Sequence, residues 1–591
     1  MKESNNRRSF LKKIAVGGVG VSVIPYGLAQ AQPPVLEKSR NELLFPGIAD
    51  GEEVSCWLES SLKRIFPQTP SQTAVPLNLL AARNSRIAFQ ACFRNNTSKV
   101  KKIECTIEGA TDIKPVIRLV GLVPMPQFTP ITDLDELDGV GHYPGLAPDP
   151  LMPETSVTAA PFASRSFWIT LNIPADMKPG NHKLKVNITW ENVYFGIERG
   201  KKGKIELPLE IDIAQMVVKP RENFNVIHWV RHEATWNYYK TEMYDERWWA
   251  LNRAQYIDLL DHGTNVASVP VLFLIKPVFK RPCQLLIVDE PSPGKYVFDW
   301  SRVERFVKMC KEIGFKKFEW THLWVYWGVK NPTRIYKKVN NEYVLLWPPD
   351  ISGFSDTFVN FLKQFLPQFQ KFLLKHDILD DSYFHLSDEP GANDLENYRK
   401  AQKLLNELAP WMHPIMDALS NINYGRQGLV DIPVPQLPGA KAYYDEKIPH
   451  WVYFCTSPKG DYLNRFFDTP LPKLRMAGFL FYHLKADGFL HWGYNYWNKL
   501  ESEEVLDPFT RADAGVYPEI PFGDPFVVYP GPDGPISSIR WEVFAEALQD
   551  FAILQTAGID KDDKRFDELR TYADYPKSEE WIQKTLAEVL K

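Results

Sequence analysis

"SYFHLSDEPGANDLENYRKAQKLLNELAP" (residues 382–410) reads as one unit of a repeating fold. Ser382 to Ser387 is a short apolar run of strand length. Pro390 and Gly391 break it. The stretch from Asp394 to Pro410 then reads as an amphipathic helix. The same rhythm runs from about Pro220 to the end of the chain. Eight strands are predicted: 224–229, 265–273, 316–325, 382–387, 414–418, 451–455, 488–492 and 526–530. Helical segments lie between most of them. In "WSRVERFVKMCKEIG" (300–314), Val303, Phe306, Val307 and Cys310 fall at helical spacing. Strand and helix in eightfold alternation predict a (β/α)8 TIM barrel over residues 219–591, with a helical C-terminal end. That span exceeds the usual ~250 residues of such a barrel, so its loops carry insertions.

Residues 32–218 have a different rhythm. "SRIAFQACFRN", "KKIECTIEG", "SFWITLNIP" and "HKLKVNITW" alternate apolar and polar residues between Gly, Pro, Asn and Asp. They predict a β-sandwich. Residues 124–156 are rich in Pro, Gly and Asp and read as a long surface loop directed at the second domain. Ahead of the sandwich, Arg7-Arg8-Ser9-Phe10-Leu11-Lys12 precedes a modest apolar stretch and Ala29-Gln30-Ala31. Residues 1–31 therefore read as a twin-arginine export signal. The apolar stretch is shorter than the roughly 20 residues of a membrane-spanning helix. A periplasmic or secreted protein with no membrane anchor after cleavage is expected. The six cysteines are widely spaced and form no CxxC pair.

The net charge of -4 gives no electrostatic footprint for nucleic acid. The 12 His include no HExxH and no regular ligand spacing, so neither a metal nor another cofactor is expected. Aromatics are abundant, with 18 Trp and 25 Tyr. Many sit where predicted barrel strands end, the face on which barrels build active sites. The first strand ends in Trp229. The third leads to Trp324, Tyr326 and Trp327. The seventh leads to Trp492, Tyr494, Asn495 and Trp497, and the eighth holds Tyr529, with Arg540 and Glu542 beyond it. Asp417 lies in the fifth. Rings that stack on sugar C–H faces, with a few acids and amides, make a carbohydrate site.

The fourth strand ends in two adjacent acids, Asp388 and Glu389. Each raises the other's pKa, which chemistry can use. Ordinary glycosidases hold two carboxyls about 5–9.5 Å apart, usually on different strands. Adjacent acids suit a substrate-assisted route, in which a 2-acetamido carbonyl attacks the anomeric carbon. Asp388 would then stabilise the oxazolinium-like intermediate. Glu389, with the longer side chain, would protonate the leaving oxygen and activate water. Adjacent strand residues point to opposite faces, so both reach one pocket only if the strand ends or bulges there. Two other readings stay open: a conventional glycosidase with Asp417 or Glu542 as nucleophile, and a non-catalytic carbohydrate-binding protein.

"LSDEP" (386–390), "GFLHWGYNYW" (488–497), "GDPFVVYPG" (523–531) and "SIRWE" (538–542) together resemble glycoside hydrolase family 123. The resemblance covers most of the chain after the signal. It implies a β-sandwich followed by a (β/α)8 barrel, and a β-N-acetylgalactosaminidase acting on glycans with terminal β-linked GalNAc. It puts the family's adjacent Asp-Glu pair on Asp388 and Glu389. Substrate contacts are expected from Trp229, Asp417, Trp492, Tyr494, Trp497, Tyr529 and Arg540.

Overall fold

Two five-stranded sheets are built from the strands between Val54 and Val217. The computed structural model describes residues 52–591 apart from 110–111, 194–197, 274–281, 326–327 and 341. The predicted export segment 1–31 lies outside the described residues, as do Tyr326 and Trp327. One sheet orders Val54–Ser60, Ser85–Asn95, Ser164–Ile173, Pro115–Met125 and Gly145–Met152, all antiparallel. The other orders Leu77–Arg83, Lys202–Val217, Gly180–Asn192, Lys101–Glu108 and Ser156–Ala159. Alternation does the sorting. In Lys101–Glu108, Ile103 and Cys105 are buried while Lys102, Glu104 and Thr106 are exposed. The buried set meets Phe89, Phe93, Phe167, Ile188 and Leu209 in a core of its own.

The predicted surface loop 124–156 is shorter than expected. Gly145–Met152 is an edge strand despite Pro148 and Pro150, because an edge needs only one side of its hydrogen-bonding groups. What remains, 126–144, does reach the C-terminal half. Thr129 donates both its backbone N–H and its hydroxyl to Asp468 at 2.7 Å, and Glu136 pairs with Lys473 at 2.6 Å.

From Asn225 onward short strands pair in parallel. Asn225–His228 pairs with Gly488–His491, which pairs with Val452–Tyr453. Val266–Val269 pairs with Lys317–Trp320, which pairs with Ser382–Tyr383. Bridges between Phe384 and Ile415, and between Gln436 and Tyr453, join these groups through Met416–Ala418 and Ile432–Val434. The Asn265 N–H donates to the Val226 carbonyl at 3.2 Å. Helices follow these strands, including Ser301–Ile313, Asp356–Lys375, Leu395–Leu408 and Ile539–Thr556. Val303, Phe306, Val307 and Cys310 do face inward. Ser355 and Ser538 cap their helices by accepting the N–H groups of Phe358 and Trp541. Among the described residues no helix is long and apolar enough to cross a membrane.

Two strand assignments change. The predicted eighth strand, 526–530, is outside the parallel ladder. Tyr529–Pro530 pairs antiparallel to Pro535–Ile536, and Phe526 makes an isolated antiparallel bridge to Asn495. Its apolar character reflects burial, for Val527 and Val528 are inaccessible to solvent. Ile432–Val434, which was not anticipated, takes a place in the ladder instead. Three residues centred on Pro433 carry no readable period, and a proline argues against a central strand.

The two halves are joined by buried charge. Asp149, in the edge strand, accepts from Arg540 Nε at 2.9 Å and Nη2 at 3.0 Å. Glu542 accepts from Arg118 at 2.7 Å and faces His262 at 3.2 Å. Burial lowers the His262 pKa, but Asp258 and Glu542 more than offset it and push it up to about 10. An imidazole raised above its unfolded value of about 6.5 contributes stability that is full below that pH and is lost as pH rises through the folded value. Tm should therefore fall between about pH 6.5 and 10, and His262→Gln should flatten that decline. An unchanged slope in the variant counts against the assignment.

Candidate active site

The acid pair sits on a kink. The Phe384 carbonyl still accepts the Met416 N–H at 2.7 Å. Five residues on, Glu389 takes the left-handed region with φ 45°, and its N–H donates to the Ala418 carbonyl at 2.8 Å. A non-glycine residue there is uncommon and marks a locally enforced conformation. The kink cancels strand alternation, and Asp388 and Glu389 line one cavity of about 360 Å³.

Other strand ends supply the walls. Trp229 follows the strand Asn225–His228, and its N–H continues the ladder to the His491 carbonyl at 2.9 Å. Its indole N–H donates to Glu319 at 2.8 Å, which leaves the ring at the cavity. Trp492 follows Gly488–His491 and donates its indole N–H to Asp524 at 3.0 Å. Tyr496 meets Trp492 at 5.2 Å between ring centroids, inclined by 60°. Gly493 between them is required, since a Cβ would lie 2.6 Å from the Asp524 carbonyl oxygen. Tyr453 donates its hydroxyl to Glu389 Oε1 at 2.6 Å. Arg231, Cys455, Glu501 and Glu519 complete the rim.

Burial, then the neighbouring Glu389 charge, pushes the Asp388 carboxyl well above its usual range; His385 and Arg231 oppose this in part. The Asp388 carboxyl is thereby disposed to hold a proton beside Glu389. Tyr453, by donating to one oxygen of Glu389, fixes the direction of that carboxyl in the cavity. Tyr453→Phe removes a charge-assisted hydrogen bond, and a loss of about 10–100-fold in kcat/KM is expected. Parallel kinetics of the two proteins at several pH values would check it. Equal rates throughout would mean that Tyr453 only lines the wall.

The structure divides the predicted contacts. Trp229 and Trp492 line the cavity. Asp417, Tyr494, Trp497, Tyr529 and Arg540 do not, and each has a bonding reason. Asp417 is fully buried and accepts from Tyr398 at 2.6 Å, Leu386 N–H at 3.0 Å and Ser387 N–H at 3.3 Å. Tyr494 donates to Asp258 at 2.8 Å, and Trp497 to the Val528 carbonyl at 3.1 Å. Tyr529 donates to Asp149 at 2.7 Å, beside the Arg540 fork. Buried tyrosines and tryptophans must satisfy their polar tips, and these do so away from the cavity. Arg231 and Tyr496 were missed. No periodic signal separates Tyr496 from Tyr494 in a segment that has left its strand.

His322, His385 and Asp417 bring potential ligand atoms within 4.8 Å of one another. Both nitrogens of His385 already face carboxylates, Glu319 at 2.7 Å and Asp417 at 3.2 Å. His385 and Asp417 thus belong to an ion-pair chain with Glu319, and His322 stacks on the His385 ring at 4.1 Å.

An acid pair among aromatic walls, at the ends of parallel strands, is an arrangement that suits carbohydrate cleavage. Residues 229–557 match the family model for the glycoside hydrolase 123 catalytic domain, more than half of the chain. The chain belongs to glycoside hydrolase family 123. Its fold is similar to that of a family 123 glycoside hydrolase from Clostridium perfringens, studied for glycolipid glycan hydrolysis. The two are 16% identical with a TM-score of 0.66, over 91% of this chain and 96% of that one. A PapD-like domain of human CEP192 is 8% identical over 34% of this chain and all of its own, but its TM-score of 0.16 is too low to bear on the fold. No curated protein matches the chain.

Proposed function

We propose that the chain is an exported, retaining β-N-acetylgalactosaminidase that works by substrate-assisted catalysis. One observation carries this reading. Asp388 and Glu389 lie side by side on one cavity, while the alternative nucleophiles are occupied elsewhere. Asp417 is enclosed by four donors. Glu542 is bound to Arg118, Ser537 and His262; burial raises its carboxyl, but Arg118 and His262 more than offset that and hold it well below the usual range.

In this mechanism the acetamido N–H of the substrate donates to Asp388. That bond favours Asp388 as the anion, and its proton passes to Glu389. Glu389 then protonates the glycosidic oxygen as the acetamido carbonyl attacks the anomeric carbon. The C–O bond to the leaving group breaks and an oxazolinium ion forms against Asp388. Glu389, now the base, takes a proton from water, which opens the oxazolinium and restores the original anomeric configuration. Trp492 and Trp229 supply ring faces for the sugar.

The preference for the galacto configuration rests on the family resemblance, and the structurally similar relative makes a glycolipid a candidate source of the terminal sugar. We also take the parallel ladder to close as a (β/α)8 barrel over 219–591, behind a sandwich over 32–218 and a twin-arginine signal over 1–31. A periplasmic or secreted location follows from that signal. Hydrolysis of aryl β-N-acetylgalactosaminide, β-N-acetylglucosaminide and β-galactoside tests the chemistry. Turnover of the first alone is expected. Equal turnover of the plain galactoside would remove the acetamido mechanism.

A further inference from the structure

Beneath the cavity lie three ionisable groups that the reaction above does not use: Glu319, His385 and Asp417, exposed by 2%, 1% and 0%. The His385 ring faces both carboxylates, Glu319 Oε1 at 2.7 Å through Nε2 and Asp417 Oδ1 at 3.2 Å through Nδ1. Each carboxylate has a second task. Glu319 accepts the indole N–H of Trp229 at 2.8 Å, fixing a ring of the cavity wall. Asp417 accepts the backbone N–H groups of Leu386 and Ser387, the two residues ahead of Asp388. Ala418, next to Asp417, accepts the Glu389 N–H. One imidazole therefore links the first, third, fourth and fifth strands of the ladder at the level of the acids.

Resting on the reading of Asp388 and Glu389 as the catalytic pair, we propose that His385 is its positioning residue: the bridge from Glu319 to Asp417 holds Trp229 and the Asp388–Glu389 turn in register. The bridge also sets a positive charge below the pair. Burial lowers the His385 pKa, but Asp417 and Glu319 more than offset it and push it up to about 9. His322, stacked on His385 at 4.1 Å, is held neutral by burial and by that charge. The ionisable groups facing His385 are thus Glu319, Asp417, His322 and Asp388, and Arg231 is the other cation acting on Asp388. Two buried carboxylates with no cation between them would be costly, so the same charge stabilises the floor of the site.

The test compares pH profiles of kcat/KM for the full chain, His385→Gln and Glu319→Gln, on whichever aryl glycoside the unmodified protein hydrolyses. His385→Gln removes the cation. A loss of about 10–100-fold and an acidic limb moved up by about one pH unit are expected. Glu319→Gln keeps the acceptor for Trp229 but removes an anion, and its limb should move down. Limbs that stay in place in both variants, or move the same way, overturn the proposal, because a residue that only packs changes the rate without shifting the profile. Histidine-selective ¹⁵N NMR provides a readout independent of activity and of whether His385→Gln folds. One imidazole should carry both ring protons at pH 7 and lose the second at lower pH in Glu319→Gln. No doubly protonated imidazole at pH 7, or one equivalent of zinc in the purified protein, overturns the proposal. Failure of the acetamido reading looks different: the plain galactoside is hydrolysed, and the opposite limb shifts are still measured on it.

Discussion

Glu389→Gln is expected to lower kcat by about 10²–10⁴-fold on an alkyl or glycan β-N-acetylgalactosaminide, or about 3–5 kcal/mol of transition-state stabilisation. Glutamine fills the same volume and still accepts the Tyr453 hydroxyl. It cannot protonate a departing oxygen or take a proton from water. The loss should depend on the leaving group. A nitrophenolate leaves without help, so the first step survives and the oxazolinium ion awaits a nucleophile. Azide needs no base, and added azide should restore turnover of the nitrophenyl substrate and yield the β-azide. Removing the Glu389 charge also relieves Asp388, whose carboxyl burial and that charge push upward. The acidic limb of any residual activity should therefore move down. A variant within threefold of the parent on the alkyl substrate, folded to the same denaturation midpoint, would take Glu389 out of the reaction.

Arg540→Met should be the most destabilising single change among the sequence-predicted site residues, by about 3–5 kcal/mol. Arg540 is fully buried and makes five hydrogen bonds. Two go to Asp149, and the others to the carbonyls of Arg465, Gly523 and Phe526. Methionine leaves Asp149 buried with Tyr529 as its remaining side-chain donor, and leaves three carbonyls without that partner. Lysine is no substitute, since an ammonium cannot span a planar fork. Asp149→Asn combined with Arg540→Met should cost less than the sum of the single changes, because neither charge is then stranded. Urea denaturation of the four proteins measures this. KM of the folded fraction should stay near the parent's, because Arg540 does not line the cavity. A large KM effect with unchanged stability would return Arg540 to the substrate.

Seven of the eight predicted strands contain a segment of the parallel ladder. Each is a short, largely apolar run bounded by a break, as suits a strand covered on both faces. The failure at 526–530 has the same cause. A run buried for another reason looks identical, and a three-residue strand around Pro433 leaves no pattern.

The sequence by itself determined the change from a β-rich half to strands alternating with helices, the family motifs and the pair Asp388-Glu389, because these depend on composition, short-range order and turn chemistry. Only the tertiary structure decided that both acids reach one cavity, since that required a left-handed backbone at Glu389. It also decided which of the distinctive aromatics and charges meet the cavity and which close the joint. Trp492 and Arg540 sit in equally distinctive motifs. One lines the cavity and the other clamps Asp149, a partner 391 positions away. Residue type sets what a side chain can bond to. Which partner it finds depends on contacts across the chain, and local sequence does not encode those.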